Sequence, residues 1–206
     1  DAAHMAGSYI DGFHAGIDAD CAVFSYQAVK NMPTADSGML CFKNNELDKI
    51  SRQRSWLGIS KDTFTRTNSN GKYKWDYDVP IVSAKYHGNS VMAAMALVSL
   101  KYLEEDNRHR RNLASKYIDL LSGSDLLNVI SHKSESNITF SSQHLLQVIL
   151  SKGLDRNRVM ISLNQKGIYP GVHYKSNAFY TPYSEQFNNV PFSNDLSERI
   201  ISLPLH

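Results

Sequence analysis

The sequence predicts an α/β fold in layers, and three observations predict it. Short apolar runs bounded by turn residues read as strands, and they intermix with segments whose apolar residues recur at helical spacing. The composition, 42% hydrophobic and 20% charged, is ordinary for a globular chain. The length, 206 residues, suffices for one large domain or one and a half ordinary ones. A change of composition divides the chain into a first domain, residues 1–106, and a smaller α/β domain, residues 107–206.

The elements follow in order. Residues Cys21 to Tyr26 and Gly38 to Phe42 read as buried strands, separated by a loop rich in Pro, Asn and Asp, Asn31-Met32-Pro33-Thr34-Ala35-Asp36-Ser37. Asn44 is placed to cap a helix over Asn45 to Leu57, whose first turn carries Glu46 and Asp48 against the helix dipole. Asp62 to Asp78 is polar and aromatic, with Asn70-Gly71 as a turn, and reads as a long loop. Ser90 to Leu103 is apolar almost all round, which predicts a buried helix. It passes through Glu104-Glu105-Asp106-Asn107 into a second, amphipathic helix with Leu113, Tyr117, Leu120 and Leu121. Leu126 to Ser131, Ile138 to Ser142 and Leu145 to Leu150 read as three strands. Asp155 to Lys166 reads as a helix, Ile168 to Tyr174 as a fourth strand, and Leu196 to Leu203 as a terminal helix.

Charge and cysteine usage narrow the function. A net charge of +2 is too small to argue for nucleic acid or a membrane surface. Arg108-His109-Arg110-Arg111 reads as one solvated helical turn. Cys21 and Cys41 lack a C-x-x-C spacing and read as reduced, buried side chains of a cytoplasmic protein. No apolar stretch reaches transmembrane length and no signal peptide is visible. Both ends, Asp1-Ala2-Ala3-His4 and Ile201-Ser202-Leu203-Pro204-Leu205-His206, read as cut through structured sequence, as in a fragment of a longer protein.

Lys30 follows an apolar run, with Ala28 and Val29 before it and Met32 and Pro33 after. A desolvated lysine loses proton affinity and becomes a nucleophile toward a carbonyl, although most lysines after a strand are simply solvated. Paired with a carboxylate such as Asp1, it is what pyridoxal phosphate chemistry needs: an amine for the aldehyde and an anion for the pyridine nitrogen. Ser25 reads either as a hydroxyl bonded to backbone or as a donor to a phosphate group. The histidines, His4, His14, His87, His109, His132, His144 and His173 among them, show no metal-ligand spacing, so a zinc site is not expected. There is no G-x-G-x-x-G, G-x-x-x-x-G-K-[ST] or G-x-S-x-G motif.

The order of these pieces is specific where each alone is weak. Asp1-Ala2-Ala3-His4 is followed by Phe24-Ser25-Tyr26-Gln27-Ala28-Val29-Lys30-Asn31, then Trp75-Asp76-Tyr77-Asp78-Val79 and Lys85-Tyr86-His87-Gly88-Asn89-Ser90. Gly171-Val172-His173-Tyr174 and Ser202-Leu203-Pro204-Leu205-His206 close the series. Over essentially its whole length the chain resembles the DegT/DnrJ/EryC1/StrS family of sugar aminotransferases. The resemblance implies the C-terminal part of the large, three-layer α/β/α domain of a pyridoxal-phosphate-dependent transferase, followed by a small α/β domain. It implies pyridoxal 5′-phosphate as cofactor, with Lys30 as the lysine that forms an imine with it. Asp1 matches the carboxylate paired with the pyridinium nitrogen, and His4 the position near the cofactor's phenolic oxygen. Ser25 matches a donor to the cofactor phosphate. His87 falls where relatives reach the phosphate of the neighbouring subunit's cofactor, which implies a homodimer with shared sites; read alone, it is equally a capping or packing histidine. His173 and Tyr174 match positions near a sugar nucleotide; read alone, they are a strand end with an aromatic in the core.

The resemblance implies transfer of an amino group from glutamate to a keto sugar linked to a nucleotide diphosphate, in amino-sugar biosynthesis such as that of lipopolysaccharide. Some relatives replace the lysine with histidine and dehydrate instead, so Lys30 argues for transamination. Two alternatives stand beside it: action on a non-nucleotide ring ketone, or a non-catalytic remnant used for dimerisation. The chain departs from many relatives at Thr34-Ala35-Asp36-Ser37-Gly38, where two glycines are missing, and at Lys175-Ser176-Asn177-Ala178, where Pro and a second His are expected. The first narrows the loop's backbone options; the second bears on the substrate. The N-terminal half of relatives, with its glycine-rich phosphate turn and ring-stacking aromatic, has no counterpart in these residues.

Overall fold

A computed structural model describes residues 1–60, 77–131 and 136–206. The Asn70-Gly71 turn, Trp75, Asp76, most of the predicted 62–78 loop and His132 lie outside the described residues. Two compact units are present, Asp1–Leu103 and Glu104–His206.

The first unit opens with a hairpin of β1 (Tyr9–Ile10) and β2 (Phe13–His14) that the sequence reading did not include. Its two central residues, Asp11 and Gly12, both have positive φ, 50° and 82°. That is the turn geometry matching the right-handed twist of a hairpin, and Asp-Gly is a favoured pair for it. The predicted strands are β3 (Cys21–Ser25) and β4 (Gly38–Phe42), paired antiparallel from Cys21↔Phe42 to Ser25↔Gly38. Contrary to expectation β4 is not buried: Gly38 to Cys41 are exposed, and Cys21 is only half-buried. Phe24, Ala22 and Tyr26 turn inward with Ala2 and Met32 to form the core, and Met5, Ala6, Ala96 and Leu103 pack on it.

Helix α1 (Asn45–Ser55) forms as its cap predicts. Asn44 Oδ1 accepts the N–H groups of Glu46 at 2.7 Å and Leu47 at 3.3 Å. Asn44→Ala removes both bonds, and a loss of about 1 kcal/mol in helix stability is expected, read as faster amide exchange in the first turn. Two predictions then need correction. The helices at 90–103 and after 107 are one helix, α2 (Ser90–Leu121). No Gly or Pro interrupts residues 90–121, and Glu104, Glu105, Arg108, Arg110 and Arg111 at its middle are good helix formers. Its first half is also not buried as expected: Val91 is 71% and Leu97 65% exposed. Among the described residues, Ala96 and Leu103 of this half pack on the buried core cluster of this unit.

In the second unit β5 (Leu127–Val129), β6 (Leu146–Leu150) and β7 (Ile200–Leu203) form an antiparallel sheet with β6 in the centre. Leu146, Val148 and Leu150 alternate inward along β6. Val148 and Ile201 are register partners and are 0% and 1% exposed. Helix α3 (Arg156–Gln165) is capped by Asp155 Oδ1, which accepts from the N–H groups of Asn157 and Arg158. Its Val159, Met160 and Leu163 cover the sheet.

Three predictions fail here. Residues 138–142 form no strand: the Ser136 hydroxyl accepts the Ile138 and Thr139 N–H groups locally, and the Ser136 N–H donates to Thr139 O. Ile168 to Tyr174 contributes only a single bridge, Gly171↔Ser202; Pro170 beside it lacks the N–H a longer ladder needs. The terminal helix is α4 (Pro191–Arg199) and stops before β7. Pro191 suits the start of a helix, and the β-branched Ile200 and Ile201 suit a strand that completes the sheet. Arg199 ties the junction, donating to Leu150 O at 2.7 Å and pairing with Asp195. Helix and strand are thus mixed as expected, and every strand pair among the described residues is antiparallel.

Candidate active site

Strand β3 organises the predicted cofactor residues of the first unit. The Ala2 N–H donates to Val23 O at 2.9 Å, which docks the chain start against β3. A turn follows, with the Met5 N–H donating to Ala2 O at 3.0 Å, and half-buried His4 lies in it. Asp1 Oδ1 accepts the Ala3 N–H at 2.9 Å, so its carboxylate is held at the mouth of the same turn.

At the C-terminal end of β3, two residues beyond Val23, Ser25 Oγ accepts the Gln27 N–H at 3.4 Å. The chain then leaves the sheet. The Lys30 N–H donates to Gln27 O at 2.8 Å, and Gln27 Oε1 accepts from the Val29 N–H at 3.2 Å. The loop beyond is closed on Tyr26, whose carbonyl accepts the Thr34 N–H at 2.8 Å and the Thr34 hydroxyl at 3.0 Å. Ser99 of α2 donates to Pro33 O at 2.9 Å. With Met32 buried in the core, Lys30 sits on an anchored turn rather than a free loop. Partial burial pushes the Lys30 amine below the ordinary lysine value, because desolvation disfavours the ammonium form. Asp1, His4, Ser25 and Lys30 therefore gather around one strand, and Ala2 and Met32 join their segments in one core cluster. Pyridoxal phosphate needs an amine for its aldehyde and a partner for its pyridine nitrogen, and the Lys30 amine and Asp1 carboxylate are groups of those types, so the residue chemistry fits it.

His87 belongs to the same unit but a different element. The segment before α2 runs past the end of α1, with the Tyr86 and His87 N–H groups donating to Ser55 O at 3.0 and 3.1 Å. The His87 ring meets Trp56 edge-on, centroids 4.1 Å apart, and the Lys85 ammonium stands over the same indole at 4.9 Å. Within this chain His87 is thus a packing histidine on an exposed surface.

His173 and Tyr174 lie in the second unit. Their rings meet edge-on at 4.9 Å, and Tyr174 is exposed. His173 Nδ1 is 2.9 Å from Ser202 Oγ, and the Gln147 amide donates to His173 O. Sequence reading gave Gln147 and Ser202 no role. The available signal was a polar residue between apolar ones in two strands, Leu146-Gln147-Val148 and Ile201-Ser202-Leu203, and the two are register partners.

A cavity of about 540 Å³ in the first unit is lined by apolar groups including Phe24, Tyr26, Met32, Ala96, Leu97 and Leu100. None of the predicted site residues lines it. Among the described residues no helix is long and apolar enough to cross a membrane, and no group of three or more His, Cys, Asp or Glu could hold a metal.

The family model of the DegT/DnrJ/EryC1/StrS aminotransferase family matches residues 1–206. Among solved structures, Spr1654 of Streptococcus pneumoniae, described as a sugar aminotransferase, is similar in its PMP-form, with 30% identity and a TM-score of 0.86. That match covers 100% of this chain and 53% of Spr1654. The aminotransferase TlmJ of Streptoalloteichus hindustanus is similar at 26% identity and a TM-score of 0.79, over 96% of this chain and 50% of TlmJ. Helicobacter pylori PseC, an aminotransferase of pseudoaminic acid biosynthesis, shares the fold at 24% identity and a TM-score of 0.84, over 99% of this chain and 53% of PseC. The chain spans about half the length of these structures.

Proposed function

Since the chain belongs to the DegT/DnrJ/EryC1/StrS aminotransferase family, we propose that it supplies the lysine side of a pyridoxal-phosphate-dependent sugar aminotransferase. The reaction moves an amino group from glutamate to a keto sugar linked to a nucleotide diphosphate, in amino-sugar biosynthesis. The observation that carries this reading is Lys30 itself, an amine pushed down by burial on a turn anchored at the end of β3, with Asp1 docked against the same strand.

Bound pyridoxal phosphate supplies an aldehyde that accepts the amino group and a ring that withdraws electrons from the donor's α-carbon. Lys30 Nζ would be the amine that holds the cofactor's aldehyde carbon, and, once free, the base and acid that moves the proton of the donor's α-carbon. Asp1 would accept a charge-assisted hydrogen bond from the pyridine N–H. Ser25 would donate to the phosphate, and His4 would stand near the phenolic oxygen. His173 and Tyr174 contact the sugar nucleotide, and His87 reaches the cofactor phosphate of a second subunit in a homodimer. Residues 1–106 belong to the large three-layer domain and 107–206 to the small one, in a cytoplasmic enzyme.

The test is the reaction in halves with the full-length protein. Glutamate alone should yield 2-oxoglutarate, one equivalent per site, with loss of the pyridoxal absorbance. A panel of nucleotide-linked keto sugars should restore that absorbance. Activity with glutamate but with none of the sugars directs the reading to a non-nucleotide ring ketone. No 2-oxoglutarate under any condition overturns the aminotransferase assignment.

A further inference from the structure

The segment that carries Asp1 and His4 is tied at both ends. At its start the Ala2 N–H donates to Val23 O of β3. Two turns follow, with the Met5 N–H on Ala2 O and the Ser8 N–H on Met5 O. At its far end Gly7 is buried, with a φ of 78°. The Gly7 N–H donates to Nε2 of His14 at 3.1 Å. On the other side of the ring, His14 Nδ1 is 3.0 Å from Ala15 O. A backbone N–H can only donate and a carbonyl can only accept. Both contacts therefore require the same neutral ring, with the proton on Nδ1 and a lone pair on Nε2. The ring also meets Tyr9, its register partner on β1, at 5.4 Å, and Phe24 of β3 at 5.5 Å.

We infer that His14 is a positioning residue for the Asp1–Gly7 segment, and through it for the pyridoxal phosphate that Asp1 and His4 would meet. This rests on the proposed cofactor roles of those two residues. The hold is complete while the ring is neutral and is lost as pH falls. A second proton turns Nε2 into a donor facing the Gly7 donor, and a buried N–H is left without its partner. Among the described residues no carboxylate pairs with the His14 ring to offset this. The other ionisable side chains of residues 1–14 are Asp1, His4, Tyr9 and Asp11, of which Tyr9 touches the ring. Tyr26 and Cys41 line the same cavity as His14, and burial pushes both groups up, so they stay uncharged as pH falls.

The experiment uses the full-length protein and reads two quantities separately: protection of the Gly7 amide, corrected for intrinsic exchange, and affinity for pyridoxal phosphate. His14→Phe keeps a ring against Tyr9 and Phe24 and removes the acceptor. It should expose the Gly7 amide to exchange and weaken cofactor binding about fivefold, the effect of one lost hydrogen bond. His14→Gln offers the Gly7 N–H an amide oxygen that takes up no proton. It should match the wild type at about pH 8 and lose less Gly7 protection than the wild type on going to about pH 5. That comparison stands even where phenylalanine disturbs the hairpin. Nitrogen-15-labelled histidine should show the His14 proton on Nδ1 at about pH 8. Unchanged Gly7 protection in His14→Phe, or a proton on Nε2, overturns the inference. So does the same pH dependence of Gly7 protection in His14→Gln and the wild type, or unchanged cofactor affinity in His14→Phe where Asp1→Ala weakens it. Unchanged cofactor affinity in Asp1→Ala overturns the role of Asp1 instead, and Gly7 protection still judges His14.

Discussion

Lys30→Ala is expected to lower the glutamate half-reaction by at least about a thousandfold, since in the proposed reaction one side chain supplies both the covalent link and the proton transfer. Lys30 is only partly buried, so the fold should survive, and circular dichroism checks that it does. Lys30→Arg should be nearly as inactive, because a guanidinium neither attacks the aldehyde nor gives up a proton near neutral pH. The lowered Lys30 value adds a pH signature. Its amine loses its proton below the pH at which ordinary lysines do, so capture of pyridoxal phosphate by the apoprotein should rise with pH earlier than labelling of the other lysines. The linkage has the same sign: the folded chain binds fewer protons than the unfolded one in that interval, so this group's contribution to stability rises with pH there.

The largest structural effect is expected at Leu146. It lies in the central strand β6, is 1% exposed, and packs with Ala114 and Leu205. Leu146→Ala leaves a cavity that strands on both sides prevent from collapsing, and should cost about 2–5 kcal/mol. The check is hydrogen exchange of the amides of residues 146–150, whose protection reports the opening free energy of this unit. A change below about 1 kcal/mol would mean that the β6 core is not as packed as described.

Local chemistry made part of this fold readable. Asn44 and Asp155 each carry a side-chain oxygen at a helix start, and both helices begin where those caps stand. Strands β3 and β4 are apolar runs bounded by turn residues. Two of the failures have their cause in partners far along the chain. Residues 200–203 form a strand because β6 is there to receive them, and the apolar run of α2 says nothing of what covers it. The β1–β2 hairpin has strands of two residues, too short for any periodicity, although Asp11-Gly12 names its turn. At the site, the order of their motifs is what singles out Lys30, Asp1, Ser25 and His4, and the structure sets them on β3 and the segments beside it. The hold of Ser202, Gln147 and Gly171 on His173 was not, because strand register and a single bridge create it, and no sequence spacing records either.

The central claim is that Lys30 is the residue that carries pyridoxal phosphate. The direct measurement is borohydride reduction of the full-length protein incubated with pyridoxal phosphate, then proteolysis and mass spectrometry. The account predicts a single reduced cofactor adduct on the peptide containing Lys30, formed in the wild type and absent from Lys30→Ala. An adduct spread over surface lysines such as Lys43 and Lys49 with Lys30 unmodified would contradict it.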